Sequence, residues 1–391
     1  MPHSSSRKIL VLGYGNTGSV IIRDLIETSG AYITIAGRRL EKVKHIAEEI
    51  GSERINVEQV DVTEHDRLVQ VLKNTDIIIN STWYRHNVSV MKAAIETCVE
   101  YIDLGGLYHV TLKQLELDDL AKEAGVTAIP GCGCAPGITN VLAKYGGDKL
   151  DEVDSVYMYS GTVMFEKVEG VKIAYAASTL LDELTLNPVI YKNGEYVEVS
   201  PFSGEETIRF PEPIGDVKAY IVIHSEHATI PRTINKGIKN AIFRIITSPA
   251  TVSRLKALDE IGLTSKEPIS VKGISISPRD FLETYFSSLT SAEVKREAEI
   301  HVLRVDIRGT KDCKKAQFVY DVFNEAKPEW HANSSAFATG VAASIAAQML
   351  ARGDIRVKGV VPPEVCIEPE PFIAELQKRN MKIICTESRE R

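Results

Sequence analysis

The sequence predicts an α/β protein: a doubly wound Rossmann domain of parallel strands joined to a second α+β domain with a mostly antiparallel sheet. Three observations carry this. A glycine-rich turn links an apolar run to an amphipathic helix near the N-terminus, strands and helices alternate up to about residue 135, and short β-rich runs dominate from about Asp151.

In RKILVLGYGNTGSVIIRDLIE, Ile9 to Leu12 lead into Gly13, Gly15 and Gly18, after which Val20, Ile21 and Leu25 recur at helical spacing. Gly13 makes the tight turn of the G-x-G-x-x-G pattern, Gly15 lets the backbone approach a pyrophosphate, and Gly18 lets helix and strand pack closely. The amides at the helix start, including those of Asn16 and Thr17, then face the phosphates.

The second strand, AYITIAG, ends where an Asp or Glu would accept hydrogen bonds from the ribose of NAD. Gly37, Arg38 and Arg39 stand there instead. A guanidinium fork suits a phosphate, Gly37 leaves room for one, and a positive charge at a helix start otherwise opposes the macrodipole. NADP is therefore the expected cofactor, with NAD as the other candidate.

The alternation continues through the strand INVEQVDVT, the helix EHDRLVQVLKN with Thr63 as its N-cap, the strand DIIIN and the helix NVSVMKAAIETC. EYIDLGG, LKQLELDDLAKEAG and VTAIPG add a strand, a helix and a sixth strand. Cofactor-facing residues should lie where these strands end: Asp61 and Val62 near the adenine, Asn80, Ser81 and Thr82 near the nicotinamide ribose, and Gly105 and Gly106 after the fifth strand. In CAPGITN, Pro136 is expected just inside a helix, and Cys134, Pro136, Gly137 and Asn140 should shape the pocket beside the nicotinamide.

Beyond Asp151, SVYMYSG, PVIYKNGEYVEVS, EETIRF, AYIVIHS, AEIHVLRVDIRGT and KAQFVYDVF read as strands, with KNGEY as a hairpin turn and helices near 171–184 and 279–289. In HSEHATIPRTI two histidines, a glutamate and an arginine gather within nine positions directly after an apolar strand, either as part of the site or as a polar loop whose charges pair with one another. His224 or His227 could move a proton there, Glu226 could bind a substrate amino group, and Arg232 could fork onto a carboxylate, with Arg244 as a second anchor. Tyr84 follows the fourth strand, close to where substrate should meet cofactor. The Ala-rich NSSAFATGVAASIAAQMLARGD is a closing helix. The expected division is 1–135 for cofactor binding, 136–330 for substrate and dimerisation, and 331–391 for a helix and tail returning to the Rossmann domain.

A net charge of -7 excludes the basic field that would hold a nucleic acid. No apolar run reaches the ~20 residues of a membrane span, and six scattered cysteines fit a reducing cytoplasm better than a disulfide framework or a metal site.

VLGYGNTG, IDLGG at 102–106, APGITN at 135–140, HSEHATIPR at 224–232 and GVVPPE at 359–364 make the chain similar to the saccharopine dehydrogenase-like family. The resemblance implies an NAD(P)-dependent oxidoreductase acting at a carbon bonded to nitrogen on a small amino acid substrate, of the saccharopine reductase or lysine 6-dehydrogenase type. On that reading His224 and Glu226 are the catalytic candidates, hydride passes between the nicotinamide and an imine or amine carbon, and a homodimer or homotetramer is expected. The alternative is an NADP-binding redox sensor without turnover.

Overall fold

The computed structural model describes residues 7–165, 175–290 and 299–390. The first lobe alternates β1 (Lys8–Leu12), α1 (Asn16–Thr28), β2 (Tyr32–Gly37), α2 (Leu40–Ile50), β3 (Ile55–Gln59), α3 (His65–Leu72) and β4 (Ile77–Asn80). It continues with α4 (Asn87–Glu96), β5 (Glu100–Asp103), α5 (Tyr108–Leu115), α6 (Asp118–Glu123) and β6 (Thr127–Ile129). The central strands β1 and β4 are buried on both faces and read as apolar, Ile-rich runs, and the strands pair in parallel under helices. β1 lies between β2 and β4, which makes their junction the switch point where such sheets bind ligands.

α7 (Ile138–Asp148) leads into the second lobe, which comprises β7 (Glu152–Met164), α8 (Ala177–Thr185), β8 (Val189–Lys192), β9 (Glu195–Glu198), β10 (Ser203–Arg209) and β11 (Asp216–Ile221). Then come α9 (Glu226–Thr233), β12 (Asn240–Ile246), α10 (Pro249–Glu260), the small ribbon β13 (Ile269–Val271) and β14 (Ile274–Ile276), α11 (Pro278–Thr290), β15 (Glu299–Lys311) and β16 (Lys314–Glu325). The sheet is antiparallel except where β12 runs parallel to β7. Residues 171–174 of the expected helix and Ala298 of the expected strand lie outside the described residues.

The chain then returns. α12 (Ser334–Arg352) crosses α1 closely, because a Cβ on Gly340 would overlap Val20 and come within 3.0 Å of the Thr17 carbonyl oxygen. By length and apolarity this helix could cross a membrane, closer to a span than the sequence suggested, but 83% of it is buried inside the protein. β17 (Gly359–Val360) joins β6 as a seventh parallel strand that two residues of sequence could not announce. α13 (Pro363–Cys366), α14 (Pro369–Lys378) and β18 (Lys382–Arg389) complete the chain.

Three expectations are corrected. The tail does not end on the Rossmann domain, because β18 bonds to β16 at the edge of the second sheet. Thr63 is no cap: its hydroxyl and amide both turn to Asp61, and α3 starts after Glu64. Pro136 precedes the helix rather than opening it, since Gly137 at φ +128° is the N-cap. Gly37 is required by the Tyr14 ring, which a Cβ there would overlap.

Candidate active site

The cofactor end is built from backbone. Ser81 holds the first turn, its hydroxyl donating to the carbonyls of Leu12 (3.1 Å) and Gly13 (3.0 Å). A Cβ at Gly18 would overlap the Gly13 carbonyl, whereas one at Gly15 would meet nothing within 4 Å. A rigid turn with one open side at the start of a 13-residue helix is a cradle for a pyrophosphate, next to the Asn16 and Thr17 amides. Arg38 and Arg39 are exposed after β2 and form no ion pair within 4 Å among the described residues. Arg38 borders a polar groove of about 360 Å³ with Gln59, Asp61, Glu64 and Arg67. Asp61, held below the usual carboxylate range first by the Thr63 bonds and then by the Arg38 charge, faces the same groove, and the half-buried Val62 follows it. Glycines and unpaired guanidinium groups fit a dinucleotide with an extra phosphate.

Asn80 works from behind. It is buried, gives its amide to Asn87 (3.0 Å) and accepts from Thr82 (2.6 Å), so it shapes the loop after β4 instead of reaching a ribose. Asp103 was missed as a site residue although it lies in IDLGG. One of its oxygens accepts from the amides of Gly105 (2.7 Å) and Gly131 (2.9 Å), the other from Tyr101 (2.9 Å) and Gln114 (2.6 Å). Burial alone raises its pKa, and these four donors oppose that shift. The carboxyl thus staples the loops after β5 and β6. Asp103→Asn turns one acceptor into a donor facing donors and should cost roughly 2–3 kcal/mol, read from the urea midpoint.

The two lobes meet at His224. Its Nδ1 pairs with Glu226, and its ring stacks on Phe243 of β12 at 3.8 Å and 13°. The other carboxylate oxygen of Glu226 accepts from Thr139 (3.0 Å), so the pair is tied to the first turn of α7. Among the described residues no hydrogen bond takes Nε2 of His224, whose side chain keeps 13% exposure. Burial pushes the imidazolium down, but the Glu226 charge and hydrogen bond outweigh it and hold His224 above its ordinary pKa. Burial likewise raises Glu226, and the His224 charge overrides it to leave the carboxyl low. The signs fix a window: the pair adds stability between the two displaced values, losing it upward through the His224 pKa and downward through that of Glu226.

Nearby, Cys134 is buried, its sulfur accepting from Thr339 of α12 at 3.3 Å, and burial keeps its thiol protonated. Ser160 of β7 bonds to His301 (3.1 Å), a buried imidazole pushed down to about 4 by desolvation. Gly137 and Gly133 pack so tightly that a Cβ at Gly137 would strike the Gly133 carbonyl. Gly105 presses likewise on Pro136, and Gly106 lies against Tyr84, so these residues form the wall of the junction.

Several expected side chains are elsewhere. HSEHATIPR forms the exit from β11 and the turns of α9 rather than a polar loop. His227 is fully buried, its Nε2 accepting from the Phe243 amide (2.9 Å), and burial drops its pKa to about 4, so it is a fixed neutral ring rather than a proton carrier. Arg232 lies six residues after Glu226, roughly 240° around the helix. It bonds to Tyr196 (3.2 Å) on another face. Arg244 follows Phe243 along β12 and so points to the opposite sheet face, where it meets Glu206 (3.3 Å) and the Gly204 carbonyl (3.2 Å). Asn140 has no capacity left for a substrate: its amide donates to Glu364 (2.9 Å) and Thr229 (3.3 Å), and its oxygen accepts from the Gly137 amide (3.0 Å). Tyr84 is likewise committed, its hydroxyl donating to Asp182 of α8.

Two family models match the chain: the saccharopine dehydrogenase NADP binding domain over residues 9–129 and the saccharopine dehydrogenase C-terminal domain over 133–381. The carboxyaminopropylagmatine dehydrogenase of Synechocystis sp. is 25% identical over 385 residues, covering 94% of this chain and 95% of that protein. The carboxynorspermidine synthase of Vibrio cholerae is 26% identical over 399 residues, covering 93% of each. The solved structure of apo saccharopine dehydrogenase (L-Glu forming) from Saccharomyces cerevisiae superposes with a TM-score of 0.77 over 98% of this chain and 100% of that one, at 18% identity, a shared fold.

Proposed function

Since the chain belongs to the saccharopine dehydrogenase family of oxidoreductases and takes NADP as its cofactor, we propose that it reduces the imine formed between an amino acid aldehyde and an amine. Water leaves as the imine forms, then a hydride adds to its carbon and a proton to its nitrogen; the reverse reaction oxidises the secondary amine. Two relatives matched along nearly their whole length are named for carboxyaminopropylagmatine and carboxynorspermidine. This favours an amine bearing a further cationic arm over saccharopine or lysine.

The observation that carries the reading is the His224–Glu226 pair, anchored by Thr139 where the lobes meet. Glu226 keeps Nδ1 of the ring occupied and the imidazole charged, so Nε2 holds the proton that the imine nitrogen takes up. Bound NADPH supplies the hydride. Cys134, Pro136 and Gly137 wall the reacting carbon and keep water from the imine. At the cofactor's other end, Arg38 and Arg39 grip the 2′-phosphate beside Asp61 and Val62, with Gly13, Gly15 and Gly18 around the pyrophosphate.

Mixing the protein with NADPH, aspartate β-semialdehyde and either agmatine or 1,3-diaminopropane tests this. Reduced nicotinamide absorbance should fall only when aldehyde and amine are both present. Tight NADPH binding with no consumption by any pair would favour a redox sensor. A homodimer or homotetramer is the expected assembly, and a monomer by sedimentation at micromolar concentration would contradict it.

A further inference from the structure

The acids around His224 differ in the hydrogen-bonding capacity left to them. Asp182 accepts from Tyr84, from Arg85 (3.2 Å) and from Arg279 (2.8 Å). Glu226 has one oxygen on His224 and the other on Thr139. Glu364, beyond α9, is occupied by Asn140 and Thr233. Glu183 is the exception. It lies on α8 at 4% exposure, accepts from Tyr175 at Oε2, and has no partner at Oε1 among the described residues. Its charge couples to that of His224. A carboxyl this deeply buried with one oxygen left open can take a further donor there.

We propose that Glu183 is the carboxylate that receives the cationic nitrogen of the amine substrate. This deepens the reading above and rests on it. Tyr175 and His224 face Glu183 as donor and cation, Asp182 adjoins it as a like charge, and from α11 Arg279 and Glu283 complete the charged surroundings of Asp182. Burial, only partly offset by Tyr175 and His224, raises the Glu183 carboxyl to about 7. Below that pH an arriving ammonium finds the neutral acid. The carboxyl O–H bond breaks, its proton passes to the buffer, and a carboxylate–ammonium pair remains.

Calorimetric titration of the NADP-loaded protein with 1,3-diaminopropane, in buffers of different ionisation heat, reads that proton directly. Close to one proton should be released at pH 6 and few at pH 8. Glu183→Gln, which can keep the Tyr175 contact, should bind the diamine ~10- to 100-fold more weakly and release none. Glu183→Asp, a check against a Gln variant that fails to fold, should weaken binding but keep the release. Unchanged affinity and proton release in Glu183→Gln overturn the assignment, as does a wild-type protein that binds no diamine. Proton-linked binding without turnover of any aldehyde–amine pair leaves Glu183 in place and removes the reductase reading.

Discussion

His224→Ala is expected to lower turnover ~10²- to 10⁴-fold while leaving NADPH affinity within about twofold, because the ring supplies a proton and does not hold the cofactor. The loss should depend on pH. Wild-type activity requires the imidazolium, so it falls as pH rises through the elevated His224 pKa, whereas the residual rate of the variant lacks that limb. Glu226→Gln removes the charge that holds the ring protonated, and the same limb should move to lower pH. Steady-state rates across pH 5 to 10, paired with NADPH titrations, separate the two effects. A variant with a full rate and an unchanged profile would end the assignment.

Replacing both Arg38 and Arg39 by alanine should weaken NADPH binding ~10- to 10³-fold and leave NADH binding nearly unchanged, since each charge-assisted bond to a phosphate is worth ~1.5–3 kcal/mol. The structure gives these guanidinium groups no competing carboxylate within 4 Å among the described residues, so little is lost in the fold. The effect should shrink in high salt, as exposed charges are screened. Titration of both reduced cofactors against the double variant decides it. A preference for NADPH that survives would place the phosphate elsewhere, with Arg67, which lines the same groove and pairs with Glu58, as the next residue to test.

The Rossmann lobe was legible because its signals are local. Buried β-branched runs, a glycine turn and helical spacing each fall within some twenty residues; the structure splits the helix expected over LKQLELDDLAKEAG into α5 and α6 and adds β17, whose two residues become a strand through pairing with β6. Most of the second lobe's strands were legible for the same reason, but β12 (Asn240–Ile246), which joins β11 to β7 in the sheet, the ribbon β13–β14 and β18 were not. Side-chain direction was not. Arg244 differs from Phe243 by one strand position and therefore by one face of a sheet, and Arg232 is turned away by the helix α9. Asn140, Tyr84 and His227 looked available because the partners of the Asn140 amide and the Tyr84 hydroxyl come from 89 or more residues away and that of His227 from the backbone of β12. Glu183 and Asp103 carried no motif of their own. Only the fold reveals that one has an open oxygen and the other has four donors.

The most direct test of the central claim follows the hydride. NADPH deuterated at the transferred position of C4 is incubated with the protein, aspartate β-semialdehyde and agmatine, and the product is sized and fragmented by mass spectrometry. The account predicts a secondary amine with one deuterium on the former aldehyde carbon, now bonded to nitrogen. Deuterium on a free alcohol with no nitrogen joined would contradict it.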